Sequence, residues 1–282
     1  MKWESGRRSD NVEDSRGSTV TRGAVGGGAV IMALVAALLG APEGTVREIL
    51  NGGGSAPTTQ QGPRGPTDPA EDKAADFVKA VVGYTEDGWA SIFQAHGKRY
   101  QPPKVRLFRD QVQSACGLNS AAVGPFYCPP DSRVYLDLSF FDELDRRFGA
   151  PGDFAQAYVV AHEVGHHVQN LLGLSDAVHR KRSQVSETES NRLSVMTELQ
   201  ADCYAGVWGH YVKSKDILDP GDVEEGLRAA AAIGDDTLQR KARGRVAPES
   251  FTHGSSEQRV RWFNQGFATG KMESCDTFKS GI

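Results

Sequence analysis

The chain has no Cys-x-x-Cys pair, although it carries four cysteines in 282 residues. That spacing argues against a zinc site built from cysteine thiolates. It also lacks a basic excess: 32 Lys and Arg against 36 Asp and Glu leave a formal net charge of −4. A nucleic-acid partner is therefore not expected, because it would call for a basic face. No Gly-Lys-Ser/Thr closes the glycine cluster 23–28 and no strand precedes it, which rules out a phosphate-binding loop. One apolar run barely reaches bilayer length: residues 23–41 are free of charge, their unbroken apolar core is Ala29 to Leu39, and the flanking glycines extend it, so length alone does not decide what it is. What remains is 39% hydrophobic and 24% charged, the make-up of an ordinary globular protein.

Composition divides the chain into four parts. Residues 1–22 are polar and of mixed charge, without apolar periodicity, and are expected to form a disordered cytoplasmic tail. Residues 23–41 are expected to be a single N-terminal transmembrane helix, an uncleaved signal anchor oriented by the arginines before it. Two readings compete with it: a cleaved signal, since the small residues Gly40 and Ala41 follow the apolar core, and a buried helix, which three consecutive glycines would weaken. Residues 42–69 hold Gly-Gly-Gly-Ser-Ala-Pro and then Gln, Pro and Gly, the composition of a flexible linker. Residues 70–282 form the folded domain, single-pass anchored and extracytoplasmic on this reading. Helical spacing recurs through most of it. Lys104–Phe108 and Arg133–Leu138 read as strands, which makes a helix-rich α+β domain with a small β-hairpin or sheet.

Ala161-His162-Glu163-Val164-Gly165-His166-His167 is the pattern on which a function can be built. On a helix, His162 and His166 lie about 40° apart on one face, one turn above the other, so both imidazoles can share one Zn²⁺. Glu163 is offset from them, beside the ion's open position, where a carboxylate can act as general base. About thirty residues on, Glu198 and Asp202 are again i, i+4. Glu198 is the expected third ligand, and Asp202 is expected to accept the free ring N–H of a ligand histidine, His162 above all. One Zn²⁺ per chain follows. His167 points away from His166 and is expected in the core or behind the site. Tyr158, one turn before His162, is expected to pack. His96, His179 and His210 have no sequence partners and are expected to be structural or exposed.

The pairing of His-Glu-x-x-His with Glu-x-x-x-Asp resembles the gluzincin branch of metallopeptidases. More narrowly, the chain resembles the bacterial family of putative neutral zinc metallopeptidases. The matching stretches are residues 7–14, 122–128, His162 to Gln169, Glu198 to Trp208 and His253 to Arg259. The resemblance implies a zincin-like fold and hydrolysis of a peptide or protein substrate. It also implies a strand beside the metal helix that pairs with substrate backbone, either the 122–127 segment or the strand from Arg133. A histidine or tyrosine stabilises the oxyanion in such enzymes, and His253 is the candidate; capping the last helix is its other reading. Outside the cytoplasm an even cysteine count favours disulfides, and of three pairings Cys116–Cys128 and Cys203–Cys275 are preferred. In a cytosolic domain all four would be free thiols. The alternative function is a membrane-tethered binding or scaffold protein with a structural zinc, which would need no base at Glu163.

Overall fold

The computed structural model describes residues 1–17, 19–20, 59–60 and 68–280. Its strands are β1 (Val12–Asp14), β2 (Thr19–Val20), β3 (Thr59–Gln60), β4 (Lys104–Phe108), β5 (Gln111–Ser114), β6 (Gly117–Ser120), β7 (Phe126–Cys128) and β8 (Arg133–Asp137). Its main helices are α1 (Pro69–Ala95), α2 (Ser139–Arg146), α3 (Asp153–Leu171), α4 (Leu174–Arg182), α5 (Glu187–Ser214), α6 (Asp222–Ala232), α7 (Asp235–Arg243) and α8 (Ser256–Thr269).

Four strands form one sheet in the order β1-β4-β8-β7, in which only β7 runs antiparallel to its neighbour. Val105 and Leu107 of β4 and Val134 and Leu136 of β8 are fully buried, at alternate positions that point to one face of the sheet. The alternate residue Tyr135 faces the other side, where it stacks on Phe126 and packs with Phe108 and Val112. The β5–β6 hairpin is tied to β7 by the Cys116–Cys128 disulfide. A second disulfide, Cys203–Cys275, fastens α5 to the C-terminal segment. Both match the pairings preferred from sequence.

The helical side is built on α3, α5 and α8. Tyr158 and Phe154 of α3 meet Phe263 of α8 and Trp208 of α5, and all four are buried. Gly266 of α8 lies so close to the Cys203 carbonyl that a side chain there would collide with α5 backbone. The helical spacing from residue 70 onward opens with one long helix, α1, because nothing between Val82 and Glu86 breaks it. Asp68 caps it by accepting from the Ala70 amide at 2.9 Å.

Two expectations about the N-terminal quarter are corrected. Residues 1–17 do not behave as a disordered tail. Their charges are complementary to the acidic side of α1: Arg7 pairs with Glu86 and Asp87, Arg8 with Asp76, and Arg16 with Asp72. Trp3 is 8% exposed against Phe77, and β1 joins the sheet beside β4. Periodicity could not reveal this segment, because its ordering comes from partners some 70 residues away.

The membrane-spanning helix is the second correction. No helix among the described residues is long and apolar enough to cross a membrane. The expected span 23–41, and most of the linker 42–69, lie outside the described residues. A single crossing between them fails on topology: β1 and β4, which flank the span in sequence, are hydrogen-bonded in one sheet. Cleavage after residue 41 would remove β1 and Trp3, so the cleaved-signal reading is no better.

Trp3→Ala should therefore destabilise the domain by about 3–5 kcal/mol, the usual result of emptying a buried indole site. In a chain of this size that is a fall in melting temperature of roughly 6–15 °C. An unchanged thermal transition would return residues 1–17 to the status of a tail.

Candidate active site

The site lies between two helices brought unusually close. α3 carries Phe154, Tyr158, Ala161, Val164 and Val168 on its buried side, and Gly173 ends it in the left-handed conformation at φ +77°. It begins at Asp153, in the first helical position, whose carboxylate accepts from the Met1 amino group at 2.7 and 2.8 Å. Midway along, a Cβ on Gly165 would stand 2.9 Å from the Ala201 carbonyl oxygen of α5. A glycine inside a helix costs about 1 kcal/mol relative to alanine. Here it lets α3 and α5 approach closely enough for their polar side chains to converge.

His162, His166 and Glu198 meet at this point, each offering one ligand atom within 4.8 Å of the others. His162 Nε2 is 3.1 Å from Glu198 Oε2, and His166 Nε2 is 3.4 Å from Glu198 Oε1. Both rings are held from behind. His162 Nδ1 lies 2.8 Å from Asp202 Oδ1, and His166 Nδ1 lies 2.9 Å from Gln169 Oε1. Since those oxygens can only accept, each Nδ1 carries the proton and each Nε2 is available in the neutral ring. Gln169 is itself fixed, donating to the Thr197 carbonyl at 2.7 Å and to Gln200 Oε1 at 3.1 Å.

Asp202 is fully buried, and a carboxylate there needs compensation. Arg259 of α8 supplies it, donating from Nε to Oδ2 at 2.8 Å and from Nη2 to Oδ1 at 3.0 Å. The Tyr158 hydroxyl also donates to Oδ1. The guanidinium therefore holds the Asp202 carboxyl below its usual range despite burial, and Asp202 in turn keeps Arg259 charged.

A family model described as "Putative neutral zinc metallopeptidase" matches residues 1–278. The chain belongs to this family. It is 45% identical over 290 residues to "Uncharacterized protein YpfJ" of Escherichia coli (strain K12), across 100% of both chains. It is 44% identical over 215 residues to "Uncharacterized protein Mb2605" of Mycobacterium bovis, across 72% of each. No solved structure gives a significant match.

The residues present suit the metal that the family name implies. Two imidazole nitrogens and one carboxylate make a donor set that zinc accepts, with room for a further ligand. The electrostatics point the same way. Burial pushes His162 down, but the Asp202 and Glu198 carboxylates outweigh it and lift its pKa to about 10. Partial burial pushes Glu198 up, yet His166 and His162 hold it well below the usual carboxylate range. A pocket that stabilises a proton between these groups is one arranged for positive charge.

Glu163 is 8% exposed and accepts no hydrogen bond from any described residue. Burial raises its pKa, against the pull of the two histidines. His253 reaches the same cleft from the loop before α8. Its Nδ1 lies 3.2 Å from Asp235 Oδ1, while Asp235 Oδ2 accepts from the backbone amides of Thr252, His253 and Gly254 at 2.7, 2.6 and 3.1 Å. The cap of α8 is Ser255, in a reciprocal capping box with Gln258, so His253 is free of that duty. Burial lowers the His253 pKa, but Asp235 and Glu198 raise it overall.

These groups floor a cleft of about 560 Å³. One wall is the segment 122–127 and β7. Of the two strands expected there, β8 is paired on both sides, whereas β7 is at the sheet's edge. His167 secures that wall. It is 2% exposed, donates from Nε2 to the Gln101 carbonyl at 2.7 Å, and accepts from the Tyr127 hydroxyl at Nδ1, 3.0 Å away. Asn170 donates to the same hydroxyl at 3.0 Å.

Sequence reasoning did not assign Arg259, Asp235 or Gln169, and it gave Tyr158 a packing role only. Arg259 and Gln169 lie inside the stretches that carry the family resemblance. Nothing local marks either one, because a buried arginine or glutamine is recognisable only from its partner.

Proposed function

We propose that the chain is a zinc-dependent metallopeptidase that hydrolyses peptide bonds of a peptide or protein substrate. The observation that carries this reading is the convergence of His162, His166 and Glu198 within 4.8 Å on the floor of an open cleft, with Glu163 beside them and outside the donor set. Zinc held by those three residues would polarise the scissile carbonyl and acidify a water molecule.

The remaining work belongs to side chains. Asp202 and Gln169 fix the ring orientation of His162 and His166, so no reorganisation is needed when substrate arrives. Glu163 takes a proton from the attacking water and passes it to the leaving amine. His253, with Nδ1 donating to Asp235, offers Nε2–H in its protonated form, which the Asp235 and Glu198 carboxylates favour, to the oxyanion that develops on the carbonyl oxygen. An extended peptide adds to the edge of β7 by strand pairing, which brings a backbone carbonyl over the metal position. The two disulfides support an oxidising, extracytoplasmic setting. A purely structural zinc would leave both Glu163 and the open cleft without a role.

The test is a mixed peptide library incubated with the full-length protein, with and without chelator, alongside a metal assay. About one zinc per chain and chelator-sensitive cleavage are expected, and Glu198→Ala should lose most of the metal. Asp202→Ala should weaken metal affinity or activity by about 10–100-fold. Full zinc retention by Glu198→Ala would remove it from the ligand set. A zinc-loaded, folded protein that cuts nothing would favour the scaffold reading.

A further inference from the structure

The two ends of the cleft differ in chemistry. Toward the start of α3 its lining is mainly apolar, with Phe140, Phe148, Val159, Ile233 and Leu238, and the charges beside them, Glu143 and Arg147, pair with each other. Past Gln169 the wall is α4, whose Ser175, Val178, His179 and Arg182 all line the cleft. Their spacing of i, i+3, i+4 and i+7 is one face of a helix. Ser194 and Thr197 of α5 complete this end.

Donors collect here without an acid to receive them. Arg182 spends Nε on the Ser190 hydroxyl at 3.0 Å, and no described carboxylate lies within ion-pair distance of Arg182 or His179. The acids that line the cleft are elsewhere: Glu163 and Glu198 at its centre, and Glu143, which pairs with Arg147. Basic residues in the last turn of α4 suit the helix dipole, and Arg180 and Lys181 need no other explanation. The dipole does not explain why Arg182 and His179 face the cleft. Core packing does not explain the position of α4 either, since the helix buries no residue.

We propose that this end of the cleft selects a carboxylate of the bound peptide, held by the Arg182 guanidinium with His179 and Ser194 as further donors. Substrates would then carry Asp or Glu on the side of the scissile bond that lies over α4. A planar carboxylate matches the two terminal nitrogens of an arginine fork, and a lysine or amide at that position does not. The inference rests on the peptidase reading, and the experiment separates the two.

A neutral peptide cut by the full-length protein is remade with a single Asp, and matched Asn, walked through the positions around the cleaved bond. Each is made with a free and an amidated C-terminus, because a terminal carboxylate presents the same group. One position should favour Asp over Asn by about tenfold in kcat/KM, as expected for one charge-assisted contact. The preference should shrink to within about twofold in Arg182→Ala and weaken as ionic strength rises. Arg180→Ala, on the outer face of α4, should retain it. A preference confined to free C-termini would identify the chain end as the carboxylate recognised.

The same labelled peptides are titrated against Glu163→Gln by fluorescence anisotropy, so that binding is read without turnover. Acid-selective, Arg182-dependent binding with no cleavage by the wild type would sink the peptidase reading and leave this inference standing. Cleavage or binding with no position favouring Asp, or a preference intact in the Arg182→Ala, His179→Ala double variant, would overturn it.

Discussion

Glu163→Gln is expected to keep its zinc and its melting temperature while hydrolysis falls by at least about 10²–10⁴-fold, the usual contribution of a positioned general base. The side chain lies outside the donor set of His162, His166 and Glu198 and is 8% exposed. Glutamine matches its volume, so neither the core nor the metal site should rearrange. What glutamine cannot do is take a proton from water at neutral pH. Metal content by atomic absorption, a thermal melt and steady-state kinetics on one peptide measure the three quantities separately. Equal turnover by the variant would mean that another base does this work, or that a contaminant does. Loss of zinc would instead make Glu163 a ligand. His253→Ala is the companion: a fall in kcat with KM nearly unchanged marks oxyanion stabilisation.

The second large effect is on stability. Arg259→Met should cost about 3–5 kcal/mol, because it strands the Asp202 carboxylate in a site closed to water. Methionine replaces much of the volume, so a cavity contributes little to that figure. Asp202 would then be driven toward its protonated form. It would no longer be a reliable acceptor for His162 Nδ1, so zinc affinity should fall as well. The double variant Arg259→Met, Asp202→Asn removes both charges and should recover part of the stability but not the metal affinity. Denaturant melts of the two single variants and the double, run as a cycle, measure the coupling. A cycle that closes additively would show that the pair contributes nothing beyond its separate parts.

Much of the centre was legible in the chain itself. His162 and His166 are i and i+4 on one helix, with Glu163 directly after the first of them, and Glu198 and Asp202 are i and i+4 on another. Helical geometry makes the consequence of such spacings local, so the donor set and the residue behind it could be named without a fold. The helical course of α3, α5 and α8 and the two strands β4 and β8 followed from periodicity for the same reason. The disulfide pairing was a choice among three, preferred because Cys116–Cys128 would close a hairpin and Cys203–Cys275 would staple a helix to the C-terminal tail; periodicity had no part in it.

Other features depended on residues far apart in the chain, and periodicity carries no information about them. Residues 1–17 have no apolar repeat, and their order comes from α1, whose Asp72, Asp76, Glu86 and Asp87 meet arginines in the first sixteen residues. That docking, with β1 in the same sheet as β4, overturned a single membrane crossing that the apolar run 23–41 had suggested. His253 could be proposed for the oxyanion or for a helix cap until Ser255 was found in the capping position. Arg259 reads in sequence as one more solvated charge on an amphipathic helix; only the packing of α8 against α5 makes it the counter-charge of Asp202. The sequence by itself determined which atoms can hold the metal, because neighbours on a helix are set by its pitch. The tertiary structure decided what orients them, what closes the N-terminus onto the domain and what lines each end of the cleft, because burial and pairing exist only once distant segments are brought together.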